Sequence, residues 1–333
     1  MFKKIYNTFN LEVYTQFYTE IKSVKDALKA AHEIEFPFEF IGGGSNVLFL
    51  NQPSGTVIFN QIQGIEVLED SNENVVVKVG GGMNWSEWVD YTMEKDWGGL
   101  ENLSLIPGTV GASPIQNIGA YGTSLEDVFH SLEGVHWETK KLMVFNKEDC
   151  HFGYRTSIFK QEEFKDVFFI THVIFKLSKP GYHKIQLSYP ALQSYLEEKG
   201  IDNPTIQQVS QAVKEIRKSK LPDPAVVGNA GSFFKNPIIS KQHFEQLKKE
   251  FDNMPFFPEK NGDVKIPAAW LIEKAGWKGK TIGQVGTHPL QPLVIINKGE
   301  ATGVEVSNFY QKLQQVILDQ FRIYLEPEVN LIY

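Results

Sequence analysis

Apolar residues recur along this chain in two periods, and the switching between them marks out regions. Near the start, Ile21, Val24, Ala27, Leu28 and Ala31 fall at helical spacing behind Thr19, which is read as the N-cap. The aromatic run Phe36-Pro37-Phe38-Glu39-Phe40-Ile41 and then Val47-Leu48-Phe49-Leu50 predict strands, separated by Gly42-Gly43-Gly44-Ser45-Asn46. From about residue 61 to 177 short β runs dominate, at 75–79, 132–137, 141–145 and 167–177. A helix interrupts them after Asn84, where Trp85, Trp88, Val89 and Met93 recur at helical spacing. Residues 203–219 predict a further helix, with Asn203 as cap, Pro204 in the first position and Ile206, Val209, Val213 and Ile216 on one face. Lys220-Leu221-Pro222-Asp223-Pro224 stops it. Beyond lie predicted helices at 241–251, 268–275 and about 306–324, with strands near 293–296 and at the C-terminus.

This mixture predicts an α+β chain, and 333 residues predict two or three domains. The composition, 42% hydrophobic and 22% charged, is that of an ordinary globular protein, and no apolar stretch is long enough to span a bilayer. The first seven residues lead into no signal-peptide core. One cysteine, Cys150, excludes an intramolecular disulfide framework and fits a reducing cytosol. A net charge of −7 offers no general attraction to nucleic acid or an anionic membrane, so any bound anion must be gathered by a local site. The eight histidines are scattered without ligand spacing, which argues against a metal, and adjacent Cys150-His151 is read as structural. No G-x-S-x-G elbow is present; Gly111-Ala112-Ser113-Pro114 is only loosely similar, and Pro114 prevents the helix that should follow.

The glycines are more informative. Residues 106–122 (IPGTVGASPIQNIGAYG) are rich in glycine and other small residues and carry no charge. Such a segment either forms a turn in a β-domain or lies against something large, its N–H groups holding an anion such as a phosphorylated cofactor. Gly42-Gly43-Gly44 lies between two strands with no amphipathic helix after it, unlike the dinucleotide fingerprint. A diphosphate there would be held by backbone amides, with Ser45 and Asn46 as side-chain donors. Gly80-Gly81-Gly82 closes another strand.

Three polar residues interrupt otherwise apolar or small-residue text. Arg155, in Phe152-Gly153-Tyr154-Arg155-Thr156-Ser157-Ile158-Phe159, is either a bidentate anion clamp or an arginine bonded to backbone carbonyls. Ser232, between Gly228-Asn229-Ala230-Gly231 and Phe233-Phe234, is either a proton donor in a dry pocket or a serine at a strand entrance. Glu328, in an apolar terminal strand, shares a face with Glu326 and Asn330 by alternation; it is a polar edge residue or a buried acid.

Together these motifs resemble those of the UDP-N-acetylenolpyruvoylglucosamine reductases, the MurB flavoenzymes. The likeness runs nearly end to end, through residues 42–46, 106–122, 152–160, 220–224, 228–237, 266–280 and Glu328-Val329. The resemblance implies a domain of the vanillyl-alcohol-oxidase (PCMH) type that binds FAD non-covalently. It would comprise two subdomains, residues 1–63 with 327–333 and residues 64–221, the latter with a type I insertion near 184–217. An α+β substrate domain would cover residues 222–326. Flavin contacts are implied for Gly42, Gly43, Gly44, Ser45, Asn46, Pro107, Gly108, Thr109, Gly111, Ala112, Gln116, Asn117, Gly119, Ala120, Tyr121 and Gly122. Tyr154, Tyr189, Lys220, Asn236 and Gln291 would face substrate, with Lys220 at the nucleotide diphosphate and Tyr189 covering the nucleotide.

In catalysis, Arg155 and Glu328 would hold and polarise the enolpyruvyl carboxylate and Ser232 would give a proton. NADPH would be the co-substrate, and the product UDP-N-acetylmuramate, a peptidoglycan precursor. The implied partner is this small molecule, with no nucleic acid or membrane, in a cytoplasmic monomer. One departure is Asn330, where the family often has an arginine, so the resemblance implies no second cationic contact there. Rival readings are an oxidase of the same architecture, for which no covalent flavin tether is recognisable, and a non-catalytic nucleotide-sugar binder.

Overall fold

The computed structural model describes residues 2–333 and groups them into two units. One is formed by residues 2–3, Thr15–Gly44 and Pro53–Ser219, the other by Lys4–Tyr14, Ser45–Gln52 and Lys220–Tyr333.

In the first unit the period-two runs become a five-stranded antiparallel sheet. Its order is Lys141–Asn146, Phe129–His136, Phe168–Ser178, Asn74–Gly80 and Ile65–Asp70. Val75, Val77 and Val79 alternate onto one face with Val173, Phe175 and Leu177, all fully buried. The helix Trp85–Glu94 covers that face, setting Trp85 and Trp88 6.1 and 5.4 Å from the ring of Phe175. Each side chain of this size contributes roughly 1.5–3 kcal/mol by leaving water.

A second, parallel sheet of this unit orders Tyr18–Ile21, Thr56–Asn60 and Phe38–Ile41 beneath the helix Val24–Glu33. The cap of that helix is Ser23, which accepts from the Asp26 amide, and not Thr19. Thr19 is committed to the strand Tyr18–Ile21, where it pairs with Ile58. Helices Pro190–Glu198 and Ile206–Lys220 form the insertion and pack through Leu192, Leu196, Val209, Val213 and Ile216. The longer one starts later than its sequence suggests. Thr205 and Gln208 exchange backbone-to-side-chain hydrogen bonds of 2.8 and 3.3 Å, a capping arrangement that leaves Asn203 and Pro204 outside.

The second unit holds a four-stranded antiparallel sheet, ordered Gly228–Ser232, Val294–Asn297, Val285–Thr287 and Thr281–Ile282. The helix Gly303–Phe321 begins at a capping box between Thr302 and Glu305, earlier than its apolar stripe. Gly303 has to be glycine there, since a Cβ would overlap the carbonyl oxygen of Phe49. The C-terminal strand Asn330–Ile332 pairs in parallel with Val47–Phe49.

Candidate active site

The three glycine stretches that are far apart in sequence converge in the first unit. A Cβ on Gly43 would stand 2.9 Å from the Cα of Gly108, and one on Gly42 would overlap the Thr109 hydroxyl. The Gly111 amide donates to the Gly81 carbonyl at 2.8 Å. Main chain therefore lies directly on main chain. The amides of Gly43, Gly108 and Thr109 have no acceptor among the described residues. This neutral cradle with unspent donors fits the diphosphate of a dinucleotide cofactor.

Of the other residues expected at the flavin, Asn117 is buried and its side chain serves the framework. It donates to the Gly153 carbonyl at 3.2 Å and accepts from the Glu126 amide at 3.1 Å. Pro107, Ala112 and Gly122 are exposed, whereas Gln116, Gly119, Ala120 and Tyr121 are half-buried. Gly44 ends the first unit's part of the nest; Ser45 and Asn46 belong to the second. There Asn46 Nδ2 donates to the Glu328 carbonyl at 3.2 Å, so the asparagine is engaged with protein backbone. Asn330, standing where an arginine was expected, donates through its own amide and Nδ2 to the Asn46 carbonyl.

Arg155 projects from a tight turn closed by reciprocal bonds between the backbones of Gly153 and Thr156, at 3.1 and 3.3 Å. Its φ of 53° is left-handed, a conformation costing a non-glycine residue roughly 1–2 kcal/mol. Strain of this kind collects at functional sites. The guanidinium is half-buried, donates through Nη2 to the Gly119 carbonyl at 2.9 Å and lies 5.7 Å from the exposed Tyr154 ring. The carbonyl bond of the framework reading is thus present, and it fixes the arginine on the glycine-rich segment.

Sequence reasoning passed over Arg217. It continues the Val209–Val213 stripe by one more step of four along the helix Ile206–Lys220, and this is the signal that could have revealed it. Burial holds its guanidinium below the usual arginine range; Tyr121 opposes that shift and Arg155 adds to it. Arg217 forms no ion pair among the described residues, and its Nε is buried without a hydrogen-bond partner. Tyr121, whose phenol is pushed up by burial, meets Tyr189 edge-on at 5.1 Å. Tyr189 caps the helix Pro190–Glu198.

In the second unit Glu328 is buried, while Glu326 and Asn330 are exposed. The expected alternation fails because Glu328 precedes the strand Asn330–Ile332 instead of lying within it. Its amide donates to the Phe233 carbonyl at 2.8 Å, which holds Glu328 against the strand end that carries Ser232. Ser232 ends that strand, after Gly231 at φ 70°, and is exposed rather than sheltered in a dry pocket. Asn236 Oδ1 accepts from the Ala268 amide at 2.9 Å. Gln291 closes a turn through its carbonyl to the Val294 amide at 3.0 Å, and exposed Lys220 ends its helix.

Among the described residues no group of His, Cys, Asp and Glu is arranged to hold a metal ion. No helix among them is long and apolar enough to cross a membrane.

Residues 16–140 match the family model described as "FAD binding domain". Residues 223–332 match that of the C-terminal domain of UDP-N-acetylenolpyruvoylglucosamine reductase. The reductase of that name from Flavobacterium johnsoniae is 44% identical over 330 residues, covering 99% of this chain and 97% of the relative. That of Pseudomonas aeruginosa is 42% identical, covering 98% and 96%. The crystal structure of the Thermus caldophilus enzyme superposes with a TM-score of 0.69 at 21% identity, covering 100% of this chain and 99% of that one, a likeness of fold. The chain therefore belongs to the family of UDP-N-acetylenolpyruvoylglucosamine reductases, FAD-dependent oxidoreductases.

Proposed function

We propose that the chain reduces the enolpyruvyl group of UDP-N-acetylenolpyruvoylglucosamine with NADPH, giving UDP-N-acetylmuramate for peptidoglycan synthesis. The observation that carries this reading is a cationic neighbourhood of Arg155 and Arg217 beside Tyr121, in the same unit as a glycine cradle with unspent amides. An anionic nucleotide sugar and an anionic cofactor both suit it.

FAD, when bound, supplies the hydride chemistry between NADPH and the substrate β-carbon. Arg155 holds the substrate carboxylate in its planar fork while negative charge grows there, and Glu328 shares a proton with that carboxylate. Ser232 gives its proton to the α-carbon. An ordinary hydroxyl suffices, because the carbanion-like intermediate is far more basic than neutral water. Arg217 adds positive potential for the same anion. Tyr154, Asn236 and Gln291 act on the substrate side, Lys220 at the diphosphate, and Tyr189 over the nucleotide. Functionally, residues 1–63 with 327–333 and residues 64–221 serve the flavin, and 222–326 the substrate. The enzyme works as a cytoplasmic monomer without a nucleic-acid or membrane partner.

Purified protein is expected to be yellow, to release FAD on denaturation, and to oxidise NADPH rapidly only when the enolpyruvyl nucleotide sugar is present. Equally rapid oxidation with oxygen alone would favour an oxidase; sugar binding without turnover would favour a binding protein.

A further inference from the structure

We infer that Asn102 is a positioning residue for the nucleotide end of this site, holding Tyr121 and the segment leading to Tyr189 in one register. The inference rests on the reading above, in which Tyr189 covers the bound nucleotide.

Asn102 is 1% exposed and sits in the single helical turn Glu101–Leu103. Its Nδ2 donates to the Tyr121 carbonyl at 2.8 Å and to the Gln186 carbonyl at 2.9 Å. Both amide hydrogens are thus spent on two otherwise separate stretches of main chain. Tyr121 is left-handed at φ 49°, and Gln186 lies three residues before Tyr189 in a stretch without regular secondary structure. No ladder of backbone bonds fixes that stretch. Side chains hold it instead: Ile185 and Leu187 pack against the core of the two insertion helices, His183 Nδ1 bonds Ser178 Oγ at 2.9 Å at its root, and among the described residues Asn102 alone ties its backbone, at Gln186, to Tyr121. The next turn of chain presents Tyr189 to Tyr121. Close by, Ser104 Oγ meets Ser210 Oγ at 2.8 Å, tying in the helix that carries Arg217.

Only a short primary amide meets this demand. Aspartate offers no donor, serine offers one, and glutamine moves the amide outward by a methylene. Loss of the amide leaves two carbonyls unsatisfied and loosens the register between Tyr121 and the segment that leads to Tyr189.

In FAD-loaded enzyme, Asn102→Ala and Asn102→Asp should each raise the KM for the enolpyruvyl substrate, and the calorimetric Kd for UDP-N-acetylmuramate, about tenfold. At saturating substrate, kcat should stay within about threefold. FAD content and the visible flavin spectrum should match the parent enzyme. A glycine inserted between Leu187 and Ser188 detaches Tyr189 from the grip without touching Asn102. It should give the same rise, with little further rise when combined with Asn102→Ala. Unchanged KM and Kd in FAD-loaded Asn102 variants would overturn the inference, as would an insertion without effect. Absence of turnover in the parent enzyme would instead overturn the functional reading.

Discussion

Arg155 owes its position to a left-handed turn and to the Gly119 carbonyl, so one of its donors is spent on the framework before any ligand arrives. In the proposed mechanism the same fork also meets the substrate carboxylate. Lysine at this position would keep the charge but could not serve carbonyl and carboxylate together. Arg155→Lys is therefore expected to lower kcat/KM by roughly a hundredfold or more, measured by steady-state NADPH oxidation. At this scale the sequence singles out Arg155, Ser232 and Glu328 as polar residues in apolar text; the structure puts Arg155 in a left-handed turn, buries Glu328 and leaves Ser232 exposed. The sequence misled about Glu328, because alternation applies only inside a strand and the strand begins two residues later. Arg217 escaped because the apolar face of its helix was read for hydrophobic residues, and a buried cation at the next position of that stripe does not announce itself.

Among the elements, the helices and strands read from periodicity lie within a few residues of those observed, but the helix Pro190–Glu198 and the strands Thr56–Asn60 and Ile65–Asp70 were not read. Two caps were misread: Thr19 was claimed by strand pairing, and Asn203 lost its place to the bonds between Thr205 and Gln208. The meeting of the glycine stretches was equally hidden, since the contacts of Gly43 with Gly108 and of Gly111 with Gly81 join segments remote in the chain. That meeting predicts a specific sensitivity. Gly43→Ala places a methyl against backbone that has no rotamer to change, and the overpacking costs roughly 1–3 kcal/mol. The expected outcome is folded protein whose FAD content after dialysis falls well below that of the parent.

The strand Phe38–Ile41 carries a second testable feature. Burial, with Asp166 as a nearby like charge, pushes the Glu39 carboxyl from 4.5 up to about 7. Between those values the folded chain binds a proton that the unfolded chain has already released. Stability from this group is therefore greatest below about pH 4.5 and is lost as the pH rises through about 7. Glu39→Gln should raise the melting temperature at pH 8 and flatten its decline across that window, as followed by circular dichroism. An unchanged slope would contradict the assignment.

For the whole molecule, the sequence predicted an α+β protein with a flavin-binding part, and the family comparison bears both out. The resemblance implied that residues 327–333 join 1–63; it did not imply that only short pieces of the N-terminal region group with residues 220–333. The second unit recruits Lys4–Tyr14 and Ser45–Gln52 into the neighbourhood of residues 220–333, through the pairing of Val47–Phe49 with the C-terminal strand. Such pairing follows from long-range complementarity, which periodicity does not carry and which only the family resemblance hinted at. The division also separates the proposed labour. Arg155, Arg217 and the glycine cradle belong to one unit, and Ser232 and Glu328 to the other.

The central claim is that Ser232 supplies the proton to substrate and takes no part in flavin reduction. Rapid-mixing absorbance of Ser232→Ala tests it most directly, following flavin bleaching by NADPH and then reoxidation by the enolpyruvyl substrate. Bleaching within about threefold of the parent rate is predicted, with reoxidation slowed by roughly 10²–10⁴-fold. Equal slowing of both phases, or reoxidation at the parent rate, would contradict it.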